Sequence, residues 1–140
     1  MHMKTLGNDQ LLDDLESCTL PRELWDHEAH VRACHAALAR YGATAALGFL
    51  RRAIRSYNET TGTPNTDSSG YHETITRYFV MAVAAAGDAD IATILRSSAC
   101  KREAPLWHWS KERLFSTVAR RTWLEPDLVR LPWVVRAHTP

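Results

Sequence analysis

Apolar residues recur along most of this chain at three- and four-residue intervals, the pattern of amphipathic helices rather than the strict alternation of strands. Leu11, Leu12, Leu15 and Cys18 form the first stripe, with Asn8 as its N-cap and Pro21 as an interruption, so a helix is expected over residues 8–19. Asp26 caps a second helix that runs to Tyr41 and stops at Gly42. On that helix His27, Val31, Cys34, Leu38 and Tyr41 share one face, with His30 at its margin. Thr44 is the expected cap of a third helix, buried along Leu47, Leu50, Ile54 and Tyr57 and carrying Arg51, Arg52 and Arg55 at its middle.

Residues 59–70 are rich in Thr, Gly, Pro, Asn, Asp and Ser and read as the one long loop. A fourth helix is expected to start near Gly70, to bury Ile75, Phe79, Ala82 and Ala86, and to end at Gly87, after which Asp88 caps a shorter fifth. The last third is less regular and holds Trp107, Trp109, Trp123 and Trp133. Ser110 and Ser116 read as N-caps of short helices, and Leu131-Pro132 opens an extended strap. Trp107-His108-Trp109 alternates, so both indoles are expected on one side of an extended segment and His108 on the other. The pattern predicts one all-α domain over residues 1–140: a compact bundle of four or five helices, with short C-terminal helices and a Trp-rich extended cover.

Composition narrows the function classes more than it selects one. The 140 residues are 45% hydrophobic and 24% charged, with a formal net charge of +1, which fits a globular chain and gives no electrostatic case for nucleic acid. No apolar run approaches the roughly 20 residues of a membrane span, and no signal-peptide pattern opens the chain, so a cytoplasmic protein is expected. Cys18, Cys34 and Cys100 are odd in number and lack CxxC spacing, which fits a reducing compartment. Met1-His2-Met3 reads as a cloning remnant, and His2 is set aside.

Candidate chemistry begins at Trp25-Asp26-His27-Glu28-Ala29-His30. Histidines three apart in a first helical turn can both turn toward one point, and the helix dipole there favours the neutral imidazole that binds metals or accepts protons. The second cluster, Ser69-Gly70-Tyr71-His72-Glu73-Thr74, concentrates polar groups at the start of a helix otherwise made of Val, Ala and Phe. If consecutive helices run antiparallel, the second and fourth begin at the same end of the bundle, and His27, His30, His72 and Glu73 then face one another.

That arrangement predicts acid–base or metal-assisted catalysis, with no cofactor or one divalent transition metal held by His27, His30 and His72. Two helix N-termini at one end also suit an anionic substrate. Tyr71, Tyr57, Asn58, Arg77 and Trp107 are the expected substrate-binding groups. Three classes fit: a small bacterial-type enzyme performing proton abstraction, cyclisation, elimination or hydrolysis on a small molecule; a non-catalytic ligand- or metal-binding module; and an interaction subunit, homodimeric or docked on a partner protein through its Trp-rich C-terminal region. Phosphate-binding glycine loops, a nucleophile elbow and the HExxH metalloprotease motif are absent from the sequence.

Overall fold

In the computed structural model, which describes residues 6–133, the all-α expectation holds: the described residues contain seven α-helices and no strand. They are α1 (Asn8–Glu16), α2 (His27–Thr60), α3 (Glu73–Ala85), α4 (Ile91–Arg96), α5 (Pro105–His108), α6 (Lys111–Leu114) and α7 (Thr117–Arg121). Leu11, Leu12 and Leu15 bury the apolar stripe of α1 as the spacing requires. Its cap differs from expectation. Gly7 occupies the N-cap position, and the Asn8 side chain turns across to α2, where its Oδ1 accepts from Arg32 Nε at 2.8 Å. A tertiary hydrogen bond has replaced the local one.

The long run α2 is two helices meeting at Gly42, which has φ 80° and ψ 168°. That region of backbone space belongs almost exclusively to glycine. The chain reverses there without a loop, because the end of the second arm returns to the start of the first. Trp25 and Tyr57 meet edge to face with centroids 6.0 Å apart, and Ile54 and Asn58 line the same cleft as His27 and His30. The first arm thus ends at Gly42, where the sequence places its stop. Thr44 does not act as a cap, since helix resumes immediately after the glycine.

Asp26 caps α2 through Ala29 N–H, as expected, and α3 packs against the paired arms with Tyr78, Phe79, Val80, Ala82 and Val83 buried. Between them the polar loop folds around Asn65. Its Oδ1 accepts from Tyr71 N–H at 3.0 Å and from Asn58 Nδ2 at 3.2 Å, while its Nδ2 donates to the Arg55 carbonyl at 2.9 Å. Gly70, with φ 84°, lies so close to this turn that a β-carbon there would stand 2.5 Å from the Pro64 carbonyl oxygen. These contacts fix where α3 begins, just beyond the turn that Gly70 makes.

Asp90 rather than Asp88 caps α4. Ser110 and Ser116 cap α6 and α7 through Arg113 N–H and Ala119 N–H, as their positions predicted. Residues 107–109 are not extended: Trp107 and His108 lie in α5, and the two indoles part company. Trp109 is fully buried, with its Nε1 donating to the Leu124 carbonyl at 2.7 Å, whereas Trp107 is 47% exposed. The end of the expected strap lies outside the described residues. No described helix is long and apolar enough to cross a membrane.

The reversal makes a direct prediction. A β-carbon added at Gly42 would meet no atom within 4 Å, so the cost of Gly42→Ala comes from backbone conformation alone. The substitution is expected to destabilise the protein by about 1–3 kcal/mol, measured by urea unfolding, whereas Gly48→Ala, in a helical segment, is expected to be neutral or stabilising.

Candidate functional site

A cleft of about 810 Å³ opens where the two arms of α2 and the start of α3 come together. Its walls are largely apolar: Trp25, Ile54, Ile75, Phe79, Leu106, Leu114 and Phe115 surround His27, His30 and His72. The two histidine clusters separated in sequence thus border one cavity, because both helix starts face it. Asp26, Asn58, Thr63, Thr76, Arg102 and Glu103 add polar groups to the lining.

The three imidazoles have different duties. His27 Nε2 lies 2.7 Å from the Cys100 carbonyl oxygen, which can only accept, so Nε2 carries the proton. His72 is engaged at both nitrogens: Nδ1 accepts from Ile75 N–H at 3.1 Å, and Nε2 donates to the Leu114 carbonyl at 2.6 Å. It is the N-cap of α3, an unusual choice where Ser, Thr or Asp would ordinarily serve. Burial lowers its pKa, against the raising effect of the bond to Leu114.

His30 is the ring left available. It stands edge-on to Trp25 and Phe79, with centroids 5.7 and 5.8 Å away, and no described residue hydrogen-bonds to it. The ring is part-buried and lines the cleft. Burial, with the neighbouring His27 adding to it, pushes its pKa down to about 4. At neutral pH the cleft therefore presents an uncharged imidazole held between aromatic walls, able to accept a proton or a hydrogen bond.

Glu73 does not join this group, contrary to the sequence expectation. It turns to the other side of the helix start and forms a bidentate pair with Arg51, Nε to Oε1 at 2.9 Å and Nη2 to Oε2 at 2.6 Å. The Tyr71 hydroxyl donates to the same Oε1 at 2.7 Å. Burial alone would raise the carboxyl pKa, but the bonds from Arg51 and Tyr71 outweigh it and hold the group below its usual range. Among the described residues no three His, Cys, Asp or Glu side chains are placed to hold a metal ion, so the His27–His30–His72 metal set is not assembled. The reason is local: His72 has no nitrogen left for a metal.

The other expected binding groups divide. Tyr71 and Asn58 line the cleft, although the Tyr71 hydroxyl is committed to Glu73. Tyr57 is buried with its hydroxyl on the Leu20 carbonyl at 2.8 Å, Arg77 lies over the Trp123 ring at 4.7 Å, and Trp107 faces solvent. None of these three lines the cavity. Sequence reasoning missed Phe79 and Phe115 as walls; Phe79 was legible as an apolar face residue of α3, but nothing in the sequence marked that face as bordering a void.

No protein-family model matches the chain, and neither a curated protein nor a solved structure matches it. Function is therefore read from the site alone.

The lowered pKa values set a pH dependence. Below about pH 6.5 the unfolded chain binds protons at His30 and His72 that the folded chain refuses. Stability should be complete above that pH and should fall on acidification, with a limiting slope of about 1.4 kcal/mol per pH unit from His30 down to about pH 4 and a further fall in the same direction from His72. Urea midpoints between pH 7.5 and 4.5 measure it, and His30→Leu should flatten the profile.

Proposed function

We propose that the cleft is the active site of a small-molecule enzyme in which His30 acts as general base on an anionic substrate. The single observation that carries this reading is an uncharged imidazole with no hydrogen-bond partner among the described residues, on the wall of an 810 Å³ cavity. A histidine kept for structure alone would be bonded, as His72 is at both nitrogens.

An imidazole whose pKa is near 4 is a weak base in the empty cleft. A substrate anion beside it changes that balance, because a nearby negative charge favours the imidazolium and raises the pKa toward the range useful for proton transfer. Arg102 at the lining and the starts of α2 and α3 are the groups that favour an anion, set against the carboxylates of Glu103 and of Asp26, which caps α2. His27, with its proton fixed on Nε2 by the Cys100 carbonyl, is oriented as a hydrogen-bonding neighbour rather than a second base at that nitrogen. The chemistry that fits is proton abstraction, leading to isomerisation, cyclisation or elimination; Glu73 has no part in it.

The test is exchange rather than a guess at the product. Small carboxylates, sulfonates and phosphate esters are incubated with the protein in deuterated buffer, and deuterium incorporation or conversion is followed by NMR and mass spectrometry. Wild type should exchange or convert at least one of them, and His30→Ala should lose about 10²–10⁴-fold in rate while retaining its circular dichroism. Undiminished turnover by the variant refutes the role of His30, and tight binding without exchange makes the cleft a binding module.

A second reading has its own observation. Among the described residues, the large apolar side chains exposed in the last third are Trp107, Phe115, Val118, Leu128 and Val129, against Tyr41 elsewhere. Such concentration supports a protein contact, with a second copy as the simplest partner. Sedimentation velocity should then show a concentration-dependent dimer that Phe115→Ser and Val118→Ser together convert to monomer.

A further inference from the structure

A second, smaller cavity of about 240 Å³ lies on the other face of the polar loop, and its chemistry is unlike that of the cleft. Four guanidinium groups line it, from Arg51, Arg55, Arg120 and Arg121, against the two carboxylates of Asp67 and Glu73. The elements that supply them are distant in sequence: the second arm of α2, the loop and α7. Asn65, Thr66 and Tyr71 complete the wall.

Pairing accounts for only half of this positive charge. Arg51 is neutralised by Glu73 in the bidentate pair, and Arg121 is bonded to Asp67. Arg55 has no hydrogen bond or ion pair from its guanidinium among the described residues. Arg120 reaches only neutral acceptors, the Gly70 and Tyr71 carbonyls at 2.9 and 3.3 Å from Nη1, and its Nε is buried without a partner. Burial lowers the Arg120 pKa, which is the mark of a cation removed from water without a counter-charge. A buried donor left unbonded is costly, and a cation left uncompensated is more so.

We propose that this cavity binds a phosphate-class oxyanion, either free phosphate or the phosphoryl group of a small phosphomonoester, held by Arg55 and Arg120. A tetrahedral dianion offers acceptor oxygens for the Arg55 fork and for Arg120 Nη2, which has no hydrogen bond among the described residues, and planar guanidinium groups match phosphate oxygens in pairs. The volume accommodates a phosphoryl group with a small substituent and not a nucleotide. Tyr71 belongs to the walls of both cavities, so an anion here lies behind the residue that separates it from the cleft. The site is distinct from the one proposed for proton transfer, and either can fail without the other.

The experiment follows the arginine Nε–Hε and histidine ring signals by NMR while inorganic phosphate, and separately glycerol phosphate, is titrated against chloride at matched ionic strength. Saturable shifts of Arg55 and Arg120 with the histidine signals of the cleft unmoved are expected. Arg55→Ala, which removes an exposed side chain with no hydrogen bond among the described residues and keeps the backbone bond to Asn65, should weaken binding about tenfold or more, and Arg120→Lys should do the same while keeping the charge. Tighter binding of the ester than of phosphate assigns the site to a phosphorylated metabolite, and the reverse to the free ion; both support the proposal. Shifts no larger than those in chloride, unsaturable shifts, or affinity unchanged in Arg55→Ala and Arg120→Lys overturn it.

Discussion

Two helical arms folded back on one another at a single residue put the beginning and the end of a 34-residue run at the same end of the molecule. Everything that makes the cleft depends on that reversal. It brings Ile54 and Asn58 opposite His27 and His30, and it creates the two-helix surface on which α3 lies. Only a residue without a β-carbon takes the Gly42 conformation easily, so the architecture hangs on a choice of one hydrogen over any side chain. The apolar stripes of the arms then determine which faces meet, and the cleft lies at the end of the pair away from Gly42.

Much of this was legible in the residues. Asp26, Ser110 and Ser116 announced helix starts, Gly42 announced a stop, and the antiparallel rule placed the two histidine clusters at one end, where the cleft now contains both. What could not be read was the direction of individual side chains. Glu73 and His72 are adjacent, and nothing local decides which of them faces the cavity; that choice is made by Arg51, 22 residues upstream, and by the Leu114 carbonyl, 42 residues downstream. Asn8 was lost to a tertiary partner in the same way, and the exposed Trp107 beside the buried Trp109 reflects a helical turn where alternation had suggested a strand. Local rules located elements; long-range polar contacts aimed the groups that carry chemistry.

The two cavities divide the electrostatics of the protein between them. One is walled largely by aromatic and aliphatic groups, and burial among them keeps the His30 imidazole uncharged. The other collects guanidinium groups and holds one carboxylate firmly ionised against the penalty of burial. Tyr71 stands between, and its hydroxyl hydrogen bond to Glu73 keeps a polar group from entering the apolar side. The pairing of Arg51 with Glu73 is in this sense part of the cleft, because it holds one carboxylate away from the uncharged His30 imidazole.

The bonds that hold the last third against the two helix starts span long stretches of the chain. His27 meets the Cys100 carbonyl across 73 residues, His72 meets Leu114 across 42, Thr74 meets Thr122 across 48, and Arg120 reaches back 50 residues to Gly70. On a ribosome the paired arms and α3 emerge first and can associate through nearby contacts, whereas the partners for His27 and His72 have not yet been made. The cap bond from Ile75 N–H fixes the His72 tautomer within α3 itself, whereas His27 gains a bonded nitrogen only when the last third docks.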